Sequence, residues 1–71
     1  MKVTTQTVFE YLDDLRESGE TNMFGACPYL IYRFNLDKDI AGKYLSAWMT
    51  TFDSLKEASE RAVEAEAKGL V

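Results

Sequence analysis

The chain has 71 residues, of which 46% are apolar and 28% charged, with a formal net charge of −4. This length allows one domain, and the acidic balance excludes a strongly basic surface for phosphates. The absence of histidine and the single cysteine exclude histidine-based acid–base catalysis, a Cys/His zinc site and an intrachain disulfide, so the sequence predicts a non-enzymatic protein without metal or cofactor.

The first predicted helix covers "TTQTVFEYLDDLRESGE". Its apolar residues recur at helical spacing: Val8, Tyr11, Leu12 and Leu15. Thr7 followed by Glu10 predicts a capping box at its start. Gly19 predicts its end, because glycine enters the left-handed region without steric cost.

The second predicted helix covers residues 28–34 and begins at the only proline. Asn22 is placed to cap a short turn that runs from Asn22 to Ala26. After the helix, "NLDKD" predicts a corner in which Asn35 adopts a positive φ and Asp37 caps the next helix.

The third predicted helix carries the broadest apolar stripe in the chain, and two alternatives remain for its end. The stripe consists of Ile40, Ala41, Tyr44, Leu45, Trp48, Met49 and Phe52. Ser54 with Glu57 forms a second capping-box pattern and favours a break near Asp53, but a single helix from residue 38 to about 68 is the alternative. The last segment has a thin apolar stripe and three favourable i,i+4 pairs: Leu55, Ala58, Ala62 and Val63, with Lys56–Glu60, Glu57–Arg61 and Glu64–Lys68.

These elements predict an all-α fold, a small bundle of three to four helices with a helix-turn-helix-like corner and a polar C-terminal helix. Residues 1–53 form the compact core around Leu12, Leu15, Leu45 and Trp48. Residues 54–71 form a polar helix or extension of the same domain, which pairs with a second copy or stays solvated. No apolar run approaches the roughly 20 residues that span a bilayer, and the N-terminus is polar, so we expect a cytoplasmic protein without membrane contact.

The best candidate for a partner interface is the segment "PYLIYRF". We expect Leu30, Ile31 and Phe34 to be buried there, with Tyr29, Tyr32 and Arg33 at the partner surface because Tyr and Arg are enriched at protein interfaces. Helical spacing places Tyr29 and Arg33 on one face and Leu30 and Phe34 on another. Tyr32 is expected near neither face. The neighbouring Cys27 is interpreted as a small buried apolar residue.

A helix-turn-helix DNA-binding regulator is the alternative function, because a helix, a tight corner and a second helix with Ala41 facing inward have that spacing. Lys38 and Lys43 would then contact DNA. The exposed positions of the recognition helix would be Lys38, Asp39, Gly42, Lys43, Ser46 and Ala47. Two lysines are few for reading a major groove, so nucleic acid is the less favoured partner. Imitation of DNA by the acidic helices is a third, weaker hypothesis, given a charge of only −4.

Residues 12–52 contain a pattern that resembles small bacteriophage proteins of unassigned role. The residues that carry the resemblance are Ser18-Gly19, "TNMFGA" at 21–26, Pro28-Tyr29-Leu30, Phe34, Leu36, Ala41 and Trp48-Met49. Asn35 departs from the pattern, which has glycine there. The resemblance implies an accessory protein made inside an infected bacterium and brings no catalytic activity. We therefore expect a small protein that acts by protein–protein interaction, binds or modulates a host or phage enzyme, and pairs as a dimer.

Overall fold

The computed structural model describes residues 3–19, 22 and 25–71. The described residues form four α-helices and no strand, which confirms the all-α prediction. The helices are α1 (Thr5–Ser18), α2 (Cys27–Phe34), α3 (Lys38–Thr51) and α4 (Ala58–Ala67). None of these helices has the length and apolar character that crossing a membrane requires.

Helix α1 begins at Thr5, within the predicted segment, but its N-cap differs from the predicted one. Thr4 is the N-cap, and its Oγ1 accepts a hydrogen bond from the backbone N–H of Thr7 at 3.2 Å. The predicted capping box at Thr7 and Glu10 is therefore wrong, since Thr7 already lies inside the first turn as the residue that Thr4 caps. The predicted end is confirmed, because Gly19 adopts the left-handed conformation with a φ of 70°.

Asn22 and Asn35, on either side of α2, take the turn positions that the sequence predicts. Asn22 accepts a hydrogen bond from Gly25 N–H on its Oδ1 at 3.0 Å, as expected for a capping residue, although residues 23 and 24 lie outside the described residues. Asn35 ends α2 with a φ of 54°, which confirms the predicted positive φ. Asp37 occupies the N-cap position of α3, as predicted. Its side chain, however, makes no capping hydrogen bond to the first turn of that helix, all of which the structure describes.

The helical conformation is interrupted between α3 and α4, so the alternative of one helix from 38 to 68 is wrong. Phe52 is extended, and a turn follows in which Asp53 accepts hydrogen bonds from Leu55 N–H on its side chain and from Lys56 N–H on its backbone. The capping box predicted at Ser54 and Glu57 is not formed, because the Asp53 turn occupies this segment and α4 begins only after Glu57.

The four helices share one apolar core, with α1 packed against α3 and α4, and α2 packed against α3. The core consists of Val8, Phe9, Leu12, Leu15, Ala26, Leu30, Ala41, Leu45, Ala47, Trp48, Ala58, Ala62 and Ala65. The four residues predicted at its centre, Leu12, Leu15, Leu45 and Trp48, are all buried. The stripe of α3 is mostly covered within the chain itself, but Ile40 is 43% exposed.

Helix α4 belongs to this core and is not a solvated extension. Ala58, Ala62 and Ala65 are buried, and their short side chains let α4 lie close to α1. Leu55 and Val63, expected on the same apolar stripe, are 93% and 65% exposed. The prediction failed there because Leu55 precedes the helix, and because the buried face of α4 is the one that its alanines define.

Candidate partner-binding surface

Helix α2 has one face anchored in the core and another turned outward. Leu30 is fully buried, and Phe34, four residues later, is half-buried against the same core. Pro28 lies in the first turn, where its missing N–H costs no hydrogen bond. This arrangement leaves the opposite side of α2 to solvent, where Tyr32 is 94% exposed.

An open groove of about 490 Å³ runs along the outward side of α2. Its walls are formed by Tyr11, Pro28, Tyr29, Tyr32 and Arg33. The structure thus brings all three predicted interface residues to one groove. The expectation that Tyr32 lies apart from Tyr29 and Arg33 is wrong, because residues three apart on a helix are neighbours as well as residues four apart.

Tyr11 is the groove residue that the sequence pattern assigned only to the apolar stripe of α1. Its ring meets that of Phe34 edge-on, with centroids 5.4 Å apart and an angle of 86° between the planes. The guanidinium of Arg33 lies over the rings of Phe34, at 5.3 Å, and Tyr11, at 6.0 Å. The cation is therefore held at the groove by two aromatic rings, which attract it through their electron-rich faces.

Three residues on which the helix-turn-helix alternative depends lie as it expects. Ala41 is fully buried, and Lys38 and Lys43 are both exposed on α3. Two of the six positions expected on the exposed face differ: Ala47 is buried and Gly42 is half-buried. Ala47 is covered because it lies on the side of α3 that packs against its neighbours in the core.

Side chains of α3 and Val71 line another, smaller pocket. Ile40, Lys43, Tyr44 and Val71 enclose about 200 Å³ of mainly apolar space. Cys27, interpreted as a buried residue, is half-buried at the start of α2 and carries a free thiol.

A partly buried polar cluster joins α1, α3 and α4. Asp13 accepts hydrogen bonds from Trp48 Nε1 at 3.0 Å and from Arg61 Nη2 at 2.6 Å. Arg61 is 2% exposed, its Nε donates to the backbone carbonyl of Lys56, and its guanidinium lies over the Phe52 ring. The predicted pair of Glu57 and Arg61 is not formed, because Arg61 points inward between alanines of α4 towards Asp13.

The sequence contains a signal for this cluster that the predictions above did not use. Ala58, Ala62 and Ala65 recur at helical spacing, and Arg61 falls on the same helical face. Lys56 does not pair with Glu60 as predicted but reaches Glu64, while the predicted pair of Glu64 and Lys68 is present at 3.0 Å. Among the described residues, no three cysteine or acidic side chains come close enough together to hold a metal ion.

The comparisons with known proteins add no relative to this description. The chain matches no protein-family model, and neither the curated proteins nor the solved structures contain a significant match to it.

Proposed function

We propose that the protein acts by binding another protein through the groove on α2. The observation that carries this proposal is Tyr32, a large ring that is 94% exposed beside Tyr29 and Arg33. Exposed aromatic rings next to an arginine have the composition of interface hot spots, since they bury much area at little cost in side-chain entropy. Covering this groove with a partner would remove the most exposed ring among the described residues from water.

The proposal describes a non-enzymatic accessory protein that works in the cytoplasm of an infected bacterium and modulates a host or phage enzyme. The absence of histidine from the sequence supports a binding role over a catalytic one. The phage setting is supported by the resemblance of residues 12–52 to small phage proteins.

Affinity purification from bacterial lysate with three forms of the chain tests the proposal. Wild type is compared with Tyr32→Ala and with Leu55→Ala, a matched loss of an exposed apolar side chain on the α3–α4 turn. We expect at least one protein to co-purify with wild type and Leu55→Ala but not with Tyr32→Ala. With that protein purified, Tyr32→Ala should raise Kd by about 30-fold, the effect of losing one hot spot. Retention of every partner by Tyr32→Ala contradicts the proposal.

DNA binding through α3 is the second candidate, and the observation that favours it is the exposure of Lys38 and Lys43 beside the Asn35 corner. Asp39 lies between the two lysines and weakens their attraction for phosphate. Fluorescence anisotropy with short duplex DNA tests this candidate. Saturable binding at low salt that is lost in the Lys38→Ala/Lys43→Ala double variant supports it, and no binding at tens of micromolar protein contradicts general DNA affinity.

A further inference from the structure

We propose that the α2 groove takes an extended, proline-rich segment of the partner that carries an acidic residue. This inference rests on the proposed function and states the chemistry of the partner at the same groove. It follows from the side chains that line the groove, from their tyrosine content, and from the one cation among them.

The walls of the groove exclude pairing with a β-strand. A strand binds by hydrogen bonds to free backbone N–H and C=O groups along a sheet edge. The backbone of α2 is instead engaged in its own helix, and the groove is lined by side chains from α1 and α2. A ligand must therefore be held by side chains, and its own backbone must not depend on hydrogen bonds from the groove.

The composition of the groove matches the surfaces that bind polyproline II segments. Three of its five lining residues are tyrosines, and proline-rich segments dock into grooves lined by aromatic side chains. A polyproline II segment makes no internal hydrogen bonds and stays extended, so it can lie on such a surface without a backbone partner.

The aromatic rings suit proline in particular. Tyr29 and Tyr32 stand three residues apart on α2, with Pro28 before them, and Tyr11 of α1 also lines the groove. Aromatic rings of this kind pack against the pyrrolidine rings of proline, and tyrosine hydroxyl groups donate to the carbonyls that a polyproline II backbone leaves free. The ligand loses little conformational entropy, because proline already restricts its φ.

Charge complementarity at Arg33 adds the acidic residue. The guanidinium lies over the Phe34 and Tyr11 rings, so it is positioned at the groove before any ligand arrives. The N–H groups of a guanidinium form a planar fork that matches the two oxygens of a carboxylate. Arg33 is the one cation among the residues that line the groove, and an aspartate or glutamate beside the prolines would complement it.

Titration of the ¹⁵N-labelled chain with a synthetic peptide tests this inference. The probe is a peptide of about nine residues that repeats Pro-Pro-Asp, and the matched peptides repeat Ala-Ala-Asp and Pro-Pro-Gln. We expect saturable shifts of the amide signals of Tyr11 and of residues 29–33, with a Kd of about 1 mM or below. Tyr32→Ala should abolish these shifts, and Leu55→Ala should leave them unchanged. Arg33→Gln should weaken the Pro-Pro-Asp peptide several-fold and leave the Pro-Pro-Gln peptide unaffected.

Three results would overturn the inference. The first is no saturable shift in the groove at about 5 mM probe, and the second is equal binding of the Ala-Ala-Asp peptide. The third is a change of the groove signals when the peptide-free protein is concentrated, because a second copy would then occupy the groove. If the peptide fails while co-purification still depends on Tyr32, only the ligand chemistry is wrong. If Tyr32→Ala retains every partner, the proposed function itself fails.

Discussion

Arg61 on α4 and Asp13 on α1 form an ion pair in which Nη2 and Oδ2 are 2.6 Å apart, although the residues are 48 positions apart in the sequence. The Arg61 side chain is 3% exposed and that of Asp13 is 30% exposed. Among the described residues, Nη1 of Arg61 is a buried atom without a hydrogen-bond partner. The buried cation therefore depends on Asp13 for its countercharge.

Replacing Asp13 by alanine should destabilise the protein severely. The substitution leaves Arg61 charged and buried without a carboxylate, and it also removes the acceptor of Trp48 Nε1. Loss of one partner of a buried ion pair costs about 3–5 kcal/mol. Because the Asp13 side chain is 30% exposed, we expect a loss at the lower end, about 3 kcal/mol. Urea denaturation followed by tryptophan fluorescence measures the change.

Asp14 provides the matched control for this change. It is the neighbouring carboxylate on α1, and it is exposed. Asp14→Ala should alter the free energy of unfolding by no more than about 0.5 kcal/mol. Equal effects of the two alanine substitutions would show that the buried pair contributes nothing specific to stability.

A second pair of variants separates the core from the surface. Leu45 is 8% exposed within the core of α3, whereas Leu55 is 93% exposed on the turn that follows. Leu45→Ala should cost about 2–5 kcal/mol, which is enough to unfold much of a domain this small. Leu55→Ala should leave the thermal midpoint almost unchanged. A sharp, unshifted melting transition of Leu45→Ala by circular dichroism would contradict the assignment of the core.

The sequence was sufficient to predict where α1 and α2 end, but it did not identify the residues that cap the starts of α1 and α4. Gly19 and Asn35 end α1 and α2 in the left-handed conformation, as their backbone preferences require. The apolar periodicity also identified Leu12 and Trp48 as core residues. The start of α4 was missed because a turn at Asp53 forms where a cap at Ser54 was predicted, and the local pattern fits either residue.

Long-range contacts explain what sequence reasoning missed in the site. Tyr11 joins the α2 groove because α1 lies beside α2, and no spacing within either helix reveals that neighbourhood. Arg61 was assigned to an i,i+4 pair with Glu57, although Ala58 and Ala65 are its neighbours at i−3 and i+4. Its burial follows from the packing of α4 on α1, which brings Asp13 within reach. Both features depend on tertiary structure.

Two alanine substitutions near the corner should have opposite effects. Asn35 has a φ of 54°, where a Cβ without a polar group is disfavoured, so Asn35→Ala should destabilise the protein by about 1 kcal/mol. Gly42 lies inside α3, and a Cβ added there meets no atom within 4 Å. Gly42→Ala should therefore stabilise the protein by about 1 kcal/mol. Chemical denaturation measures both, and a destabilised Gly42→Ala variant would contradict the open space on that side of α3.

The carboxyl group of Glu64 should give the clearest pH response on α4. Hydrogen bonds from Lys68 and then from Lys56, at 3.0 and 3.3 Å, hold its pKa below the ordinary value of 4.5. The unfolded chain therefore binds the proton more tightly than the folded chain does. The contribution of Glu64 to stability is complete above its ordinary pKa and is lost as the pH falls through the lower folded value.

Removing the lysines one at a time should reveal this dependence. Lys68→Gln should raise the pKa of Glu64 towards its ordinary value more than Lys56→Gln does, because the bond from Lys68 has the larger effect. Added salt should raise that pKa as well, since the three side chains lie near solvent. NMR titration of the Glu64 carboxyl measures each shift, with Lys43→Gln on α3 as the control that leaves it unchanged. An unaltered pKa in Lys68→Gln would mean that the pair does not persist in solution.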